Sequence, residues 1–327
     1  MIHEEIFENL DKVIDYLNGQ GWTLSKTYFG NAGYEVIDYG NGRMVYYPIP
    51  FGTPLFRGQN EFHEPCVSSF YRSKPDSITE FIQELKIQEF RIVTSKLPEI
   101  KEQIEAGIYY DYVALAQHYE FKTQMLDVTN SLPVAAFFAV TKKVNDKYLP
   151  IIESDKQGVL YFIKPENQFL PIPLENRPEI FPVGWQIFKR PGEQRAFGIN
   201  LSKNQDLNTM SGVFAYRFWH NKEISEKLFE IFHSGNDLFP KDIFAEKAAK
   251  INHCMIFCQE AFANAFENLT TSYTKETLIR ELSKRNISIQ INSVFEFSED
   301  EIMLFKELAI SGKLAENRFA TTRLCYM

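Results

Sequence analysis

The sequence predicts an α+β protein with a mixed or antiparallel sheet and a mainly helical C-terminal region. Short segments rich in aromatic and β-branched residues alternate with helical patterns up to about residue 240, and helical patterns dominate from about residue 245. Strands followed by a run of helices are typical of the α+β class. At 327 residues the chain exceeds a single typical core, which favours one large domain with an accessory region.

The first 44 residues are predicted to form a helix and part of a β-hairpin. Residues 4–18 place apolar side chains at helical spacing, and Gly19 ends that segment. Two strands, residues 34–39 and 43–49, flank a Gly-Asn-Gly turn at 40–42, which supplies the positive φ angles that a tight hairpin needs.

The central part of the chain alternates between predicted strands and helices. Aromatic and β-branched runs predict strands at residues 53–58, 158–165, 181–188, 195–201 and 212–219. Apolar side chains at helical spacing predict helices at residues 77–93, 110–119 and 131–143. Residues 120–127 are interpreted as the connection between the last two helices.

The C-terminal part is predicted to be mainly helical. Residues 241–269 form one long helical pattern, residues 274–286 form a second, and residues 287–291 alternate like a short strand. A capping box, Ser298 to Glu301, begins the last helix.

The composition argues against several classes of protein. The net charge of −8 argues against sequence-independent wrapping of nucleic acid, although it allows a local basic groove. No run of eighteen uncharged apolar residues occurs, so we expect no membrane span. The N-terminus lacks the pattern of a signal peptide, and the four cysteines have no disulfide-framework spacing. We therefore expect a reduced, cytoplasmic protein.

A polar cluster precedes the predicted helix at 131–143. Residues 127–131 contain an Asp, a Thr, an Asn and a Ser, and each of the last three is a suitable N-cap. The free N–H groups of that helix would also form an anion site, but capping is favoured for these residues alone. His118 and Tyr119 end the preceding helix and can face the same pocket, although a structural role is favoured for His118 by itself.

Two further segments carry chemistry. Arg57 ends an apolar strand, and Gly58 after it is expected to let the backbone turn and a ligand approach closely. The Arg57 guanidinium can then clamp a phosphate or carboxylate; the alternative is a structural pair, for example with Asp127. Residues 188–200 surround Glu193 and Gln194 with basic side chains, which would suit a phosphate-bearing ligand. A solvated loop is the favoured interpretation of that segment by itself.

Several common catalytic motifs are absent from the sequence. It has no phosphate-binding loop, no dinucleotide fingerprint, no zinc-protease motif and no nucleophile elbow. Cys254 and Cys258 are predicted to lie one turn apart on a helix and to belong to the core. We find no cluster of carboxylates and histidines that predicts a metal site.

Together these segments resemble the FRG-domain family, which is named for a Phe-Arg-Gly tripeptide. The matching segments are Phe56-Arg57-Gly58, Ser69–Arg72, Leu115–Tyr119, Thr123 with Leu126–Thr129, Ala135–Ala139, Gln194 with Phe197, and Leu238–Asp242. Four positions depart from the family pattern: Glu120 replaces Gly, Lys122 replaces Pro, Val128 replaces Trp and Ala196 replaces Gly. The resemblance implies an FRG domain over about residues 45–250, preceded by residues 1–44 and followed by a helical accessory region at 251–327.

The resemblance also implies a fold and an activity. FRG domains look similar to the ADP-ribosyltransferase superfamily, which binds NAD in a cleft of a split sheet, and many members look like bacterial toxins or defence proteins. The resemblance implies that Arg57 clamps the pyrophosphate and that Tyr119 stacks on nicotinamide. It also implies that His118 orients a ribose hydroxyl or acts as a base. Asp127, or Glu193 and Gln194, would lie beside the ribose. The other NAD-binding residues would be Gly58, Gln59, Gln117, Thr123 and Thr129.

The first hypothesis is therefore an NAD-dependent ADP-ribosyltransferase that acts as a toxin or phage-defence effector. RNA or DNA bases are expected as possible acceptors, a protein side chain is equally allowed, and an antitoxin or chaperone would restrain the protein. The second hypothesis is a non-catalytic module that binds a nucleotide or a partner. A nuclease-type effector is the third, and it would require a metal.

Overall fold

The structure is a computed structural model of the 327-residue chain. It describes residues 1–20, 33–38, 44–49, 54–105, 110–145, 147–164, 178–183, 188–240, 242–269 and 272–310. The predicted turn at 40–42 and part of the predicted strand at 181–188 lie outside these residues.

Strands and helices alternate along the first part of the chain, as predicted. The strands are β1 Gly33–Asp38, β2 Met44–Ile49, β3 Leu55–Gln59, β4 Met125–Thr129, β5 Thr141–Val144, β6 Lys147–Pro150, β7 Gln157–Ile163, β8 Glu179–Pro182, β9 Ala196–Asn200, β10 Val213–Trp219, β11 Ile256–Cys258 and β12 Ser288–Gln290. The α-helices are α1 Leu10–Gly19, α2 Ser69–Arg72, α3 Ser77–Ser95, α4 Pro98–Glu105, α5 Tyr112–His118, α6 Leu132–Val140, α7 Lys189–Glu193, α8 Lys222–Ile231, α9 Ile243–Asn252, α10 Gln259–Asn268, α11 Lys275–Lys284 and α12 Glu299–Ile310.

The central sheet contains six strands in the order β10-β7-β3-β4-β9-β8. Every neighbouring pair in it is antiparallel. The sheet and the helical region after it confirm the α+β class. The predicted strands at β3, β7, β9 and β10 are confirmed, as is the antiparallel pairing of β1 with β2.

The sheet is nearly divided between β3 and β4. β3 pairs with β7 along its whole length, from Leu55 to Gln59, and β4 pairs with β9 from Met125 to Thr129. Between β3 and β4 themselves, the described residues contain one registered pair, Phe56 with Thr129. The two halves of the sheet therefore diverge on one side of this pair.

The two faces of the sheet bury different sets of side chains, as the alternation of strand residues requires. One face packs against α1 and α6 through Phe56, Leu160, Phe162, Phe218, Leu10, Val13, Ala135 and Ala139. The other face buries Leu55, Leu126, Val128, Tyr161, Ile199 and Val213. A separate helical core joins α3, α5, α9 and α12.

Three predicted boundaries are wrong, each because tertiary pairing overrides a helical or loop pattern. The first helix begins at Leu10 and not at residue 4, because the backbone around Ile2 and Phe7 bridges to β10. Residues 120–127 are not only a connection, since β4 begins at Met125. The helix at 131–143 ends at Val140, after which Thr141 is extended and begins β5.

The long helical pattern at 241–269 is also divided. β11 separates α9 from α10 and pairs in parallel with β12, the strand predicted at 287–291. Cys258 is therefore not on a helix face with Cys254; it caps α10, and its backbone N–H donates to the buried Glu89 carboxylate on α3 at 2.9 Å. The capping box of the last helix is confirmed, because Ser298 and Glu301 exchange hydrogen bonds of 2.7 and 3.2 Å.

Candidate functional site

A cleft of about 240 Å³ lies where β3 and β4 diverge. Its walls are the ends of both strands, its third side is α6, and side chains from α5 and from the C-cap of α7 reach into it. The lining residues are Phe56, Arg57, Gly58, Gln59, Asn60, His118, Asp127, Val128, Thr129, Val134, Ala135, Phe138, Thr141, Lys143, Tyr148 and Gln194. Residues widely separated in sequence thus meet at the division of the sheet.

Arg57 spans the gap between the two strands. Its terminal nitrogen Nη1 donates to the backbone carbonyl of Asp127 at 2.7 Å. A structural pair of Arg57 with Asp127 was the alternative expected from the sequence. The two residues do pair, but the backbone oxygen of Asp127 accepts the bond and its carboxylate does not. The Nε atom of Arg57 is buried and has no hydrogen-bond partner among the described residues.

His118 is held in one orientation by Gln194. Its Nδ1 lies 2.8 Å from Gln194 Oε1, while Gln194 Nε2 donates to the backbone carbonyl of Leu238 at 2.9 Å. Because the amide nitrogen donates to Leu238, the amide oxygen faces the histidine and must accept a hydrogen bond from Nδ1–H. A neutral His118 therefore carries its hydrogen on Nδ1 and a lone pair on Nε2.

That lone pair faces a carboxylate. His118 Nε2 lies 3.6 Å from Asp127 Oδ1, and both atoms are buried without a hydrogen-bond partner among the described residues. Two acceptors at this distance do not bind one another when the imidazole is neutral. A hydroxyl or N–H group of a ligand, or a proton, would satisfy both atoms.

Asp127 is positioned by a chain of side chains behind it. Gln117 Nε2 donates to Asp127 Oδ2 at 3.3 Å, and Thr123 Oγ1 donates to Gln117 Oε1 at 2.7 Å. Thr123 in turn accepts from the backbone N–H of Met125 at 3.0 Å, which links the chain to the start of β4. Gln117 and Thr123 were expected to contact NAD, but they do not line the cleft; they position the carboxylate that does.

The structure explains Gly58 differently from the sequence. A β-carbon at Gly58 would lie 1.7 Å from the carbonyl oxygen of Ala135 and 2.6 Å from the nitrogen of Ala139. The close approach that requires glycine is thus made by α6, and not by a ligand. The backbone also does not turn at Gly58, because β3 continues to Gln59.

Two other residues that were expected to bind NAD line the cleft, and both also make hydrogen bonds within the protein. Gln59 accepts a weak hydrogen bond from the buried Cys66 thiol, with a sulfur–oxygen distance of 3.7 Å. Thr129 Oγ1 accepts from the backbone N–H of Ser131 at 3.0 Å, so it shapes the start of α6. Ser131 occupies the N-cap position, but its side chain makes no capping bond.

Tyr119 and Glu193 are not brought to the cleft. The Tyr119 ring is buried in the helical core against Phe90 and Phe244, and its hydroxyl donates to Asp242 at 2.9 Å. Burial raises the pKa of both the Tyr119 phenol and the Asp242 carboxyl. The predicted stacking of Tyr119 on nicotinamide is therefore inconsistent with this packing, and Glu193 is exposed at the end of α7.

The lining residues that the sequence analysis did not assign to the site include Asn60, Phe138, Lys143 and Tyr148. Asn60 lies two residues after the predicted strand at 53–58, and the nearby strand end was the only available signal for it. Lys143 and Tyr148 belong to the hairpin of β5 and β6, where a helix end had been predicted. Among the described residues, no group of three or more His, Cys, Asp or Glu side chains is arranged to hold a metal ion.

Comparison with known proteins supports the family resemblance over part of the chain. The family model of the FRG domain matches residues 53–148, which include β3, α5, β4, α6, β5 and the first two residues of β6. No curated protein matches the chain, and no solved structure matches it either. In the described residues, no helix is long and apolar enough to cross a membrane. The wider extent of 45–250 stays a prediction, and residues 53–148 are the part of the chain that matches the FRG-domain family.

Proposed function

We propose that the protein is an NAD-dependent ADP-ribosyltransferase whose cleft cleaves the bond between nicotinamide and ribose. One observation carries the proposal: Arg57, His118 and Asp127 line one cleft, and each has a buried polar atom without a partner among the described residues, namely Nε, Nε2 and Oδ1. Buried polar atoms are ordinarily paired, and unpaired ones at a cavity favour a polar ligand.

The carboxylate suits the charge that such a cleavage develops. When the glycosidic bond breaks, its electrons pass to the nicotinamide ring, which becomes neutral, and positive charge develops on the ribose. Asp127 would stabilise that charge, since it is fixed from behind by Gln117 and keeps Oδ1 unpaired. Its orientation is set before substrate binds.

His118 supports both parts of the transfer. The lone pair on Nε2 can accept a hydrogen bond from a ribose hydroxyl, or accept the proton that an attacking hydroxyl or amine loses when it bonds to the ribose carbon. Gln194 keeps the hydrogen of the neutral ring on Nδ1, so the lone pair stays on Nε2, which faces Asp127. Arg57 and Lys143 supply positive charge for the pyrophosphate.

The test is release of nicotinamide by the purified wild type, by Asp127→Asn and by Arg57→Gln, with and without added cellular RNA. Asp15→Asn on the exposed face of α1 and Arg280→Gln on α11 are matched controls with the same changes of charge. We expect release by the wild type and both controls, and a loss of at least about a hundredfold in the two cleft variants. An increase with RNA would identify the class of acceptor.

The same experiment distinguishes the second hypothesis. If NAD binds in proportion to protein and no nicotinamide is released by folded wild type, the transferase proposal is wrong and the binding module is supported. A role as toxin or phage-defence effector predicts arrested growth on expression of the wild type and normal growth with Asp127→Asn. Restraint by an antitoxin or chaperone, and a cytoplasmic location, stay predictions.

A further inference from the structure

A second cavity, of about 440 Å³, adjoins the cleft and shares Lys143 and Tyr148 with it. Its other walls come from the start of β6, from α7 and α8, and from the turn before residue 240. The lining residues are Glu120, Lys143, Lys147, Tyr148, Leu149, Arg190, Phe229, Ser234, Gly235, Asn236 and Phe239. Except for Arg190, none of these residues was predicted to contact a ligand.

The charged side chains of this cavity are mainly basic. Lys143, Lys147 and Arg190 line it together with one carboxylate, Glu120. Glu120 is shared, since it lies 2.6 Å from the Lys143 ammonium and 3.4 Å from Arg190 Nη1. The lining thus contains three cations and one carboxylate, and Lys147 has no ionic partner among the described residues.

Arg190 is positioned more firmly than a surface arginine. Its guanidinium carbon lies 5.4 Å from the centre of the Tyr119 ring and 5.8 Å from that of Phe239, so the group is held between aromatic side chains. Only 13% of the side chain is exposed, and Nε is buried without a hydrogen-bond partner in the described part of the chain. An arginine with an unused donor beside a cavity is suited to an oxyanion.

The remaining wall is aromatic. Tyr148 and Phe239 stack with ring centres 4.6 Å apart and planes inclined by 18°, and Phe229 adds a third ring. Cations combined with aromatic rings are the features that proteins use for a phosphate and an attached base. An acidic peptide would use the cations and leave the aromatic wall without a partner.

We propose that this second cavity binds a nucleoside phosphate. Its phosphate would lie against Arg190 and Lys147, and its base against the aromatic wall. Two sources have this chemistry: the adenosine phosphate half of the NAD in the proposed reaction, and a nucleotide of a phosphorylated acceptor. The inference rests on the proposed function. Because the experiment below measures binding and not turnover, loss of one proposal can be distinguished from loss of the other.

The experiment is calorimetric titration with ADP, and with adenosine as the matched ligand that lacks phosphate. We expect ADP to bind at least about tenfold more tightly than adenosine. Arg190→Gln and the exposed Lys147→Gln should each weaken ADP about three- to tenfold, and Lys227→Gln on α8 is the control. Glu120→Gln should tighten ADP, because it removes the competing carboxylate. Circular dichroism verifies that each variant is folded.

Two further arms identify the source of the ligand. Displacement of ADP by NAD would assign the cavity to the adenosine half of the dinucleotide. Undiminished binding of ADP at saturating NAD, with competition by a short phosphorylated RNA, would assign it to the acceptor. ADP binding that is absent at millimolar concentration, equal to that of adenosine, or unchanged in both the Arg190 and Lys147 variants overturns the proposal.

Discussion

The backbone of Gly58 lies directly against the carbonyl oxygen of Ala135, so that a β-carbon at Gly58 would be 1.7 Å from that oxygen. We expect Gly58→Ala to lower the free energy of unfolding by about 3 kcal/mol or more, since backbone cannot move aside as a side chain does. Urea denaturation measures the effect. Gly19→Ala is the control, because nothing lies within 4 Å of a β-carbon at Gly19; it should leave stability unchanged or raise it by up to about 1 kcal/mol. A Gly58→Ala protein as stable as the wild type would contradict the conclusion that glycine is required here by the close approach of α6.

Asp127→Asn is expected to abolish the proposed release of nicotinamide and to stabilise the protein. The amide oxygen can still accept from Gln117, and the new Nδ2 donor faces the lone pair of His118 in place of a second acceptor. Satisfying this buried pair should raise the free energy of unfolding by about 1 kcal/mol. Thermal and urea denaturation of Asp127→Asn and Asp15→Asn provide the comparison, and the control should change by less than about 0.5 kcal/mol. A marked loss of stability in Asp127→Asn would show that the carboxylate already has a structural partner.

The tautomer of His118 can be observed directly. Because Gln194 Oε1 accepts from Nδ1, the neutral ring should give the ¹⁵N chemical shifts of the Nδ1–H form in a long-range nitrogen–proton correlation spectrum. An Nε2–H pattern would mean that the amide of Gln194 is oriented the other way.

Gln194→Leu gives a second, thermodynamic test of the same bond. The substitution leaves His118 Nδ1 and the Leu238 carbonyl without partners in a buried region, so stability should fall by about 2 kcal/mol or more. Gln205→Leu, at an exposed turn outside the cleft, is a matched control with a smaller expected loss. An equal loss in the two variants would argue against a special role for Gln194.

Stability should fall as the solution becomes acidic, in part because of His220. Burial lowers the pKa of this imidazole below its ordinary value of 6.5, and its Nε2 lies 3.0 Å from the backbone carbonyl of Asn60. The unfolded chain therefore binds a proton at a pH where the folded chain does not. The stabilising contribution is present above pH 6.5 and is lost as the pH falls below it.

The measurement is urea denaturation at pH 8 and at pH 5.5 for the wild type and His220→Gln. The difference in unfolding free energy between the two pH values should be smaller in the variant. Part of the difference should remain, because burial and the nearby Arg72 also lower the pKa of His63. An unchanged difference in His220→Gln would assign the acid sensitivity to other groups.

The elements that could be predicted from the sequence are those in which local pattern and tertiary packing agree. The strands around Phe56 and Phe162 and the helix at α3 were predicted because their apolar side chains repeat at strand or helix spacing. β4 was missed because Asp127 and the residues before it lack the composition of a strand. Its extended form depends on pairing with β9, which is distant in sequence.

The candidate site was predictable in part. Arg57, His118, Asp127 and Gln194 were identified through the family motifs, and the structure brings all four to one cleft. Motifs do not distinguish a side chain that faces the cleft from one that faces the core. Tyr119 adjoins His118 in sequence, yet it points into the helical core, because successive residues at a helix end face different directions.

The single pair of Phe56 with Thr129 has a consequence for redesign of the cleft. Among the described residues, one registered pair connects the two halves of the sheet, and α6 places Val134, Ala135 and Phe138 in the wall of the cleft. Phe138 contributes a half-buried ring to that wall, and the polar centre does not depend on it. Shortening this one side chain would enlarge the space for bulkier ligands while the hydrogen bonds of His118 and Asp127 stay in place. The width of the cleft and its polar chemistry can thus be altered separately.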